Sequence, residues 1–266
     1  MYEEGLFFMS LDAAKTVREF AIEMPNATRV FEKLKIDYCC GGNQPLSEAC
    51  MSAGFKIEEV FEMLSKDAPA DDKPPAVDSK SLPLAELAKL IVEKHHIFTR
   101  NECERLTALF EKVCSVHGAN HPELLKLESK FQTLRAELEP HMMKEERILF
   151  PYIAQLEAAV VGNRNAPFAP FGTVGNPIAA MMREHDAAGD ILKAIRELSG
   201  DLVAPEDACF SYRTLYNALD ALEADLHQHI HLENNVLFPR SLEMEQRARA
   251  VTVLDMALTD EGTVSV

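Results

Sequence analysis

The feature that most constrains this chain is a duplicated pattern in its second half. HMMKEERILFP, beginning at His141, and HIHLENNVLFP, beginning at His229, share His at the first position, Glu at the fifth and Leu-Phe-Pro at the end. Each follows a helix-patterned segment with its own histidine, His95 in the first case and His185 in the second. The arrangement reads as a duplicated helix pair. Around the first copy the apolar stripe runs Phe131, Leu134, Leu138, His141, Glu145, Ile148 and Tyr152, in alternating steps of three and four. Around the second it runs Leu215, Leu219, Leu222, Leu226, His229, Glu233 and Val236. Both pairs therefore occupy positions that should face a core, and residues four apart lie nearly on one face of a helix.

The other two helices show the same intrusion. Leu84, Leu87, Ala88, Ile91 and Val92 lead to His95, and Ile178, Met181 and Met182 lead to His185. A lone histidine on an apolar face is more often a satisfied core residue than a ligand, and a lone His-x3-Glu is a routine surface pair. Four helices presenting such groups at one depth form a conjunction that chance rarely produces. Six polar groups facing one another in an apolar interior must be neutralised or coordinated, because an unpaired buried ion costs several kcal/mol. A two-metal centre satisfies all six, with His95, His141, Glu145, His185, His229 and Glu233 as candidate ligands. Imidazole with carboxylate suits iron, manganese or zinc, and two carboxylates able to bridge favour a pair of redox metals, iron first. The order His-x3-Glu departs from the Glu-x-x-His of ferritin-like bundles. His96 abuts His95 but falls about 100° off the apolar stripe on α-helical geometry, so His95 is preferred. His117, His121, His227 and His231 are expected to face solvent.

The expected fold class is all-α: a four-helix bundle at about 84–240, a preceding small helical domain at 1–66, and a C-terminal helix and tail at 241–266. The bundle helices are predicted at about Leu84 to Val116, Pro122 to Leu156, Pro177 to Leu198 and Pro205 to Phe238. Short helices are expected upstream at about Leu11 to Ile22, Ala27 to Leu34, Leu46 to Ala53 and Ile57 to Leu64. Residues 67–83 lie within SKDAPADDKPPAVDSKSLP, whose prolines and aspartates read as a linker. A net charge of −16 argues against nucleic acid and anionic membrane surfaces as partners. No apolar run reaches the length needed to span a bilayer, and the N-terminus lacks the pattern of a signal peptide. A cytoplasmic location with reduced thiols is expected. Cys39 and Cys40, followed by Gly41 and Gly42, read either as an exposed reactive turn or as a buried small-residue turn. Cys50, Cys103, Cys114 and Cys209 read as helix-packing residues.

The two motifs, together with Asp37-Tyr38-Cys39-Cys40-Gly41-Gly42 upstream, resemble the hemerythrin-like di-iron proteins for repair of iron centres, the RIC family of YtfE/ScdA type. The resemblance covers nearly the whole chain. It implies two non-haem iron ions, oxo- or hydroxo-bridged, with Glu145 and Glu233 bridging and two of the histidines on each iron. The implied role is repair of iron–sulfur clusters damaged by nitrosative or oxidative stress, through iron delivered from a labile centre to damaged iron–sulfur proteins. Cys39 and Cys40 would serve as functional thiols. Glu137 and Glu184, beside ligand positions, would line an exit path or act as bases behind the ligands, the alternative being ordinary solvated helix charge. A homodimer is also expected on the resemblance. Two alternatives stand beside repair: an enzyme reducing nitric oxide to nitrous oxide, and a non-catalytic sensor binding O2 or nitric oxide. Oxygen-carrying hemerythrins use a fifth histidine one turn after that of the third helix, where this chain has Gly189; that weakens an oxygen-carrier role.

Overall fold

The structure, a computed structural model, describes residues 12, 14–24, 26–66 and 79–260. It divides into two units, between Asp78 and Ser79. Among the described residues it is helical, with one isolated bridge between Thr16 and Pro45 in place of any strand. Of the expected linker, residues 67–78 lie outside the described residues. Ser79 and Leu82 are held to the second unit, where their carbonyls accept hydrogen bonds from Arg240.

The first unit contains α1 (Val17–Glu23), α2 (Ala27–Leu34), α3 (Leu46–Ser52) and α4 (Ile57–Lys66). The first helix starts at Val17, later than its apolar pattern suggested, because Thr16 and Glu19 cap it reciprocally. Thr16 Oγ1 accepts from the Glu19 N–H, and Glu19 accepts from the Thr16 N–H at 2.7 Å. Helix α2 ends where Lys35 turns into the left-handed region at φ 54°. Phe20, Phe31, Tyr38, Leu46 and Leu64 fill a core of this unit's own.

The second unit is a bundle of four long rods. The first comprises α5 (Leu84–Ile91), a π turn (Val92–His96) and α6 (Ile97–His117). The second comprises α7 (Glu123–Lys144), a π turn (Glu145–Leu149) and α8 (Phe150–Val161). The third is α9 (Gly175–Leu198), an unbroken α-helix. The fourth comprises α10 (Phe210–Leu232), a π turn (Glu233–Leu237) and α11 (Phe238–Asp260). That rod begins at Phe210, five residues later than Pro205, and runs through position 240 without a break, so no separate C-terminal helix starts at 241. Helix α7 packs on α9, α6 on α10, and α8 on both α5 and α11. No helix among the described residues is long and apolar enough to cross a membrane.

Two apolar clusters fill the bundle. One gathers Phe110, Phe131, Leu134, Leu215 and Leu222; the other gathers Leu84, Ile91, Ile153, Leu156 and Leu237. Between them lies a layer of buried His and Glu side chains. Glu245 of α11 fixes the turn before α9: it accepts hydrogen bonds from the Val174 N–H at 2.9 Å and the Tyr152 hydroxyl at 3.0 Å. Buried groups of this kind persist because each is paired.

A π turn adds one residue to a helical turn and so slips the phase of the stripe. After Glu145 the inward residue is therefore Leu149, buried, and Ile148 is 50% exposed, contrary to the expectation that Ile148 belongs to the core. The Leu149→Ala variant should lose about 2–5 kcal/mol of stability, and Ile148→Ala no more than about 0.5, by denaturant unfolding. Equal losses would contradict the slipped register.

Candidate metal centre

Three of the four rods carry a π turn at or beside a buried His or Glu. Glu145 and Glu233 each open such a turn, and His95 and His96 end one. The first of these alters the site predicted from α-helical periodicity. Two adjacent residues about 100° apart should not both face a core, yet His95 and His96 are both wholly buried. The added residue brings His96 into the centre and leaves His95 beside it. His96 Nε2 stands 3.1 Å from His229 Nε2 and 3.4 Å from Glu145 Oε2. His95 instead directs Nδ1 to Asp225 at 2.9 Å and stacks on the His229 ring at 5.7 Å. The sequence-based preference for His95 over His96 is thus not the arrangement the fold adopts.

The other five predicted groups converge with His96. His141 Nε2 and His185 Nε2 are 3.1 Å apart. Glu233 divides its oxygens between the two histidine pairs, Oε1 lying 3.0 Å from His229 and Oε2 lying 3.1 Å from His185. Glu145 Oε2 is 3.4 Å from both His96 and His141. Two overlapping groups of four potential ligand atoms result, each with its atoms within 4.8 Å of one another. They are His96, Glu145, His229 and Glu233, and His141, Glu145, His185 and Glu233. Each group draws one histidine from each half of the duplicated bundle, and both share the same two carboxylates.

The donors fit metal ions better than they fit one another. Neutral imidazoles can pair, but both oxygens of Glu145 and Oε2 of Glu233 remain buried without a hydrogen-bond donor. Orphaned acceptors of this kind are costly. Two nitrogens held at right angles about 2.1 Å from one cation stand about 3.0 Å apart, close to the spacing of each histidine pair. Electrostatics agree. Burial, then the facing His229, pushes His96 down to about 4; burial, then His185, does the same to His141. Both imidazoles are therefore neutral near pH 7, the form that binds metal. Burial and the neighbouring Glu233 push Glu145 well above the carboxylate range. Burial acts the same way on Glu233, but contacts with His229 and His185 outweigh it and hold Glu233 low. Without a cation the layer favours one carboxylate charge, and a cation removes the obstacle to the second.

The distal nitrogens show what stands behind the ligands. His96 Nδ1 meets Glu146 at 2.7 Å, His141 Nδ1 meets Glu184 at 2.8 Å, and His185 Nδ1 meets Asn234 at 2.9 Å. His229 Nδ1 is buried without a partner. Such contacts fix ring orientation and tune donor strength. Glu146 and Asn234 were not anticipated, although both follow the motif glutamate and alignment of the two copies exposes them. Glu184 sits beside His141 and forms an ion pair with Lys144. Glu137 is exposed and lines the same pocket of about 400 Å³ as His141, Glu184 and His185.

The remaining expectations fare unevenly. His231 is buried and hydrogen-bonded to Asn235, contrary to its expected exposure, and His117 is half-buried against Tyr212. His121 is also half-buried, between Glu123 and Asp207, and His227 is half-buried. Cys209 is exposed at the start of α10 and is no packing residue. In the first unit the Cys39–Cys40 turn is neither loose nor fully exposed: Cys39 is buried, Cys40 half-buried, and their sulfurs lie 3.8 Å apart. Asp37 Oδ1 clamps the turn, accepting from the N–H groups of Cys39 and Cys40 at 3.0 Å each. The hydrogen bond to Cys40, burial and the Asp37 charge push the Cys39 thiol well up, so it stays protonated.

Residues 90–241 match the hemerythrin HHE cation-binding domain, a family for which iron is the implied metal, and residues 13–68 match the ScdA amino-terminal domain, a domain of unknown function. The iron–sulfur cluster repair protein YtfE of Pectobacterium carotovorum is 38% identical over 233 residues, covering 87% of this chain and 98% of that protein. The protein of the same name from Escherichia coli O8 is 38% identical over 229 residues, covering 85% and 96%. Identity at this level runs along nearly the whole of both chains. The chain belongs to the family of YtfE iron–sulfur cluster repair proteins, with a ScdA-type domain ahead of a hemerythrin HHE domain.

Proposed function

We propose that this protein repairs iron–sulfur clusters damaged by nitrosative or oxidative stress, and that it does so by delivering iron held at two positions in the bundle. The observation that carries the reading is the pair of overlapping buried ligand groups. His96 and His229 would hold one ion, His141 and His185 the other, with Glu145 and Glu233 shared between them. Two imidazoles and two shared carboxylates leave each position short of a closed six-ligand shell, as a releasable ion requires. When bound, the metal pair supplies a redox-active, Lewis-acidic centre. The residues of this chain do the rest. The histidines and the shared carboxylates would hold two cations in an apolar interior, and the two apolar clusters exclude bulk water from above and below.

The repair role named for the relatives favours repair over nitric oxide reduction or gas sensing as the main role. The ScdA-type domain would contribute the sulfur chemistry. Cys40 is the more accessible sulfur, and Cys39, kept as a thiol, supports it through the 3.8 Å contact. A damaged cluster on a client protein is the substrate of this reading, and a location shared with such clients, the cytoplasm, follows from it.

Two outcomes test these assignments. Replacing His96 by Ala should reduce iron to one ion per chain or fewer after anaerobic loading, whereas His95→Ala should retain both; iron analysis decides, and the reverse result would restore His95 as the ligand. Replacing Cys39 and Cys40 together by Ser should leave bundle iron unchanged but impair reactivation of a nitric-oxide-damaged [4Fe–4S] enzyme. Full reactivation by that variant would remove the thiols from the mechanism.

A further inference from the structure

The duplication permits a comparison between the two ends of the centre, residue against residue. The residue before the first-helix histidine is His95 in one half and Glu184 in the other. The residue before the shared glutamate is Lys144 in one half and Leu232 in the other. Where the two halves meet, these four positions form unlike surroundings.

At the His141–His185 end the residues are Glu184 and Lys144, paired with each other, their side chains 38% and 42% exposed. Both line the pocket of about 400 Å³, together with His141 and His185. Pro140 lines it too, and having no N–H it cannot close the helical hydrogen bond to the carbonyl of Ala136, another lining residue. At the other end the counterparts are His95, wholly buried, and Leu232, half-buried and packed into the apolar cluster. His96 is also wholly buried, does not line the pocket and stacks near Phe150 at 5.9 Å. His229 does reach the pocket, so one member of that pair lines it, against both members of the other.

The cause is local. The π turn at Val92–His96 brings His96 into the centre and leaves His95 buried beside it, where it closes that end. Helix α9 has no such turn around His185, so Glu184 stays at the bundle surface. An ion pair between half-exposed side chains gains little over hydration and opens readily. Displacing a packed Leu or a buried, hydrogen-bonded His exposes apolar surface and orphans polar atoms, and the Arg100–Glu146 ion pair behind His96 does not line the pocket.

We infer that the two metal positions exchange unequally: the His141–His185 position is the one that gives up iron, with Glu184 and Lys144 as its gate, and the His96–His229 position is retained. This rests on the reading that iron is the cargo of the bundle. In delivery, donor atoms of a chelator or client would take the places of His141, His185 and the shared oxygens of Glu145 and Glu233 on that ferrous ion. The carboxylates would stay with the retained ion, and no electron is transferred.

The test uses the full chain, loaded anaerobically with ferrous iron, counted, and then mixed with excess bipyridine as the chelating probe. Two phases of equal amplitude are expected, one iron in each. Lys144→Leu, which copies the closed end, should slow the faster phase several-fold and leave the slower one unchanged; Lys144→Ala should speed the faster phase. Two irons released in a single phase, or phases that ignore both Lys144 variants, would overturn the proposal while leaving a two-ion centre in place. Fewer than two irons bound before chelation would overturn the two-ion reading itself, and this proposal with it.

Discussion

Two carboxylates with no exposed surface, Glu145 and Glu233, share one interior, and the arrangement of the bundle follows from the need to compensate them. Like charges this close in a medium of low polarity cannot both persist unaided. Four imidazoles, drawn from four separate rods, surround them, which fixes the depth and rotation of every rod relative to the others. The apolar clusters above and below keep solvent from supplying that compensation, which suits the layer to a cation it could hold. Polar specificity and apolar burial are therefore tied together: a rod that rotated to improve its packing would withdraw a ligand.

The π turns are the adjustment that lets regular helices meet this demand. An unbroken α-helix presents one residue per turn to a given line, with neighbours alternating three and four apart. Placing Glu145 and Glu233 in the layer while keeping Leu149 and Leu237 in the next apolar layer takes one extra residue each time. That slip explains why five of the six convergent groups were legible from periodicity and the sixth was not. His141, Glu145, His185, His229 and Glu233 lie on stripes that are still in phase when they reach the layer. His96 lies at the end of a slipped turn, where counting by α-helical angle pointed to its neighbour. Ile148 falls outside the core for the same reason.

Other features were out of reach of pattern reasoning because they depend on tertiary partners. His231 reads as surface, yet its partner Asn235 sits one turn on and both are covered by neighbouring rods. The Cys39–Cys40 turn leaves an exposed and a buried reading open in the sequence, whereas Asp37 binds its backbone and orders it. Ordering matters for the proposed chemistry. A clamped turn presents one sulfur, Cys40, in a fixed direction with a protonated neighbour, which suits a thiol that accepts an ion from a partner and passes it on.

The central claim is that the bundle holds two coupled ions between shared carboxylates. The most direct measurement is the iron content of the unmodified chain after anaerobic loading, with Mössbauer spectra recorded before and after oxidation. Two irons per chain that become antiferromagnetically coupled on oxidation are the predicted result. One magnetically isolated iron per chain, or none, would contradict it.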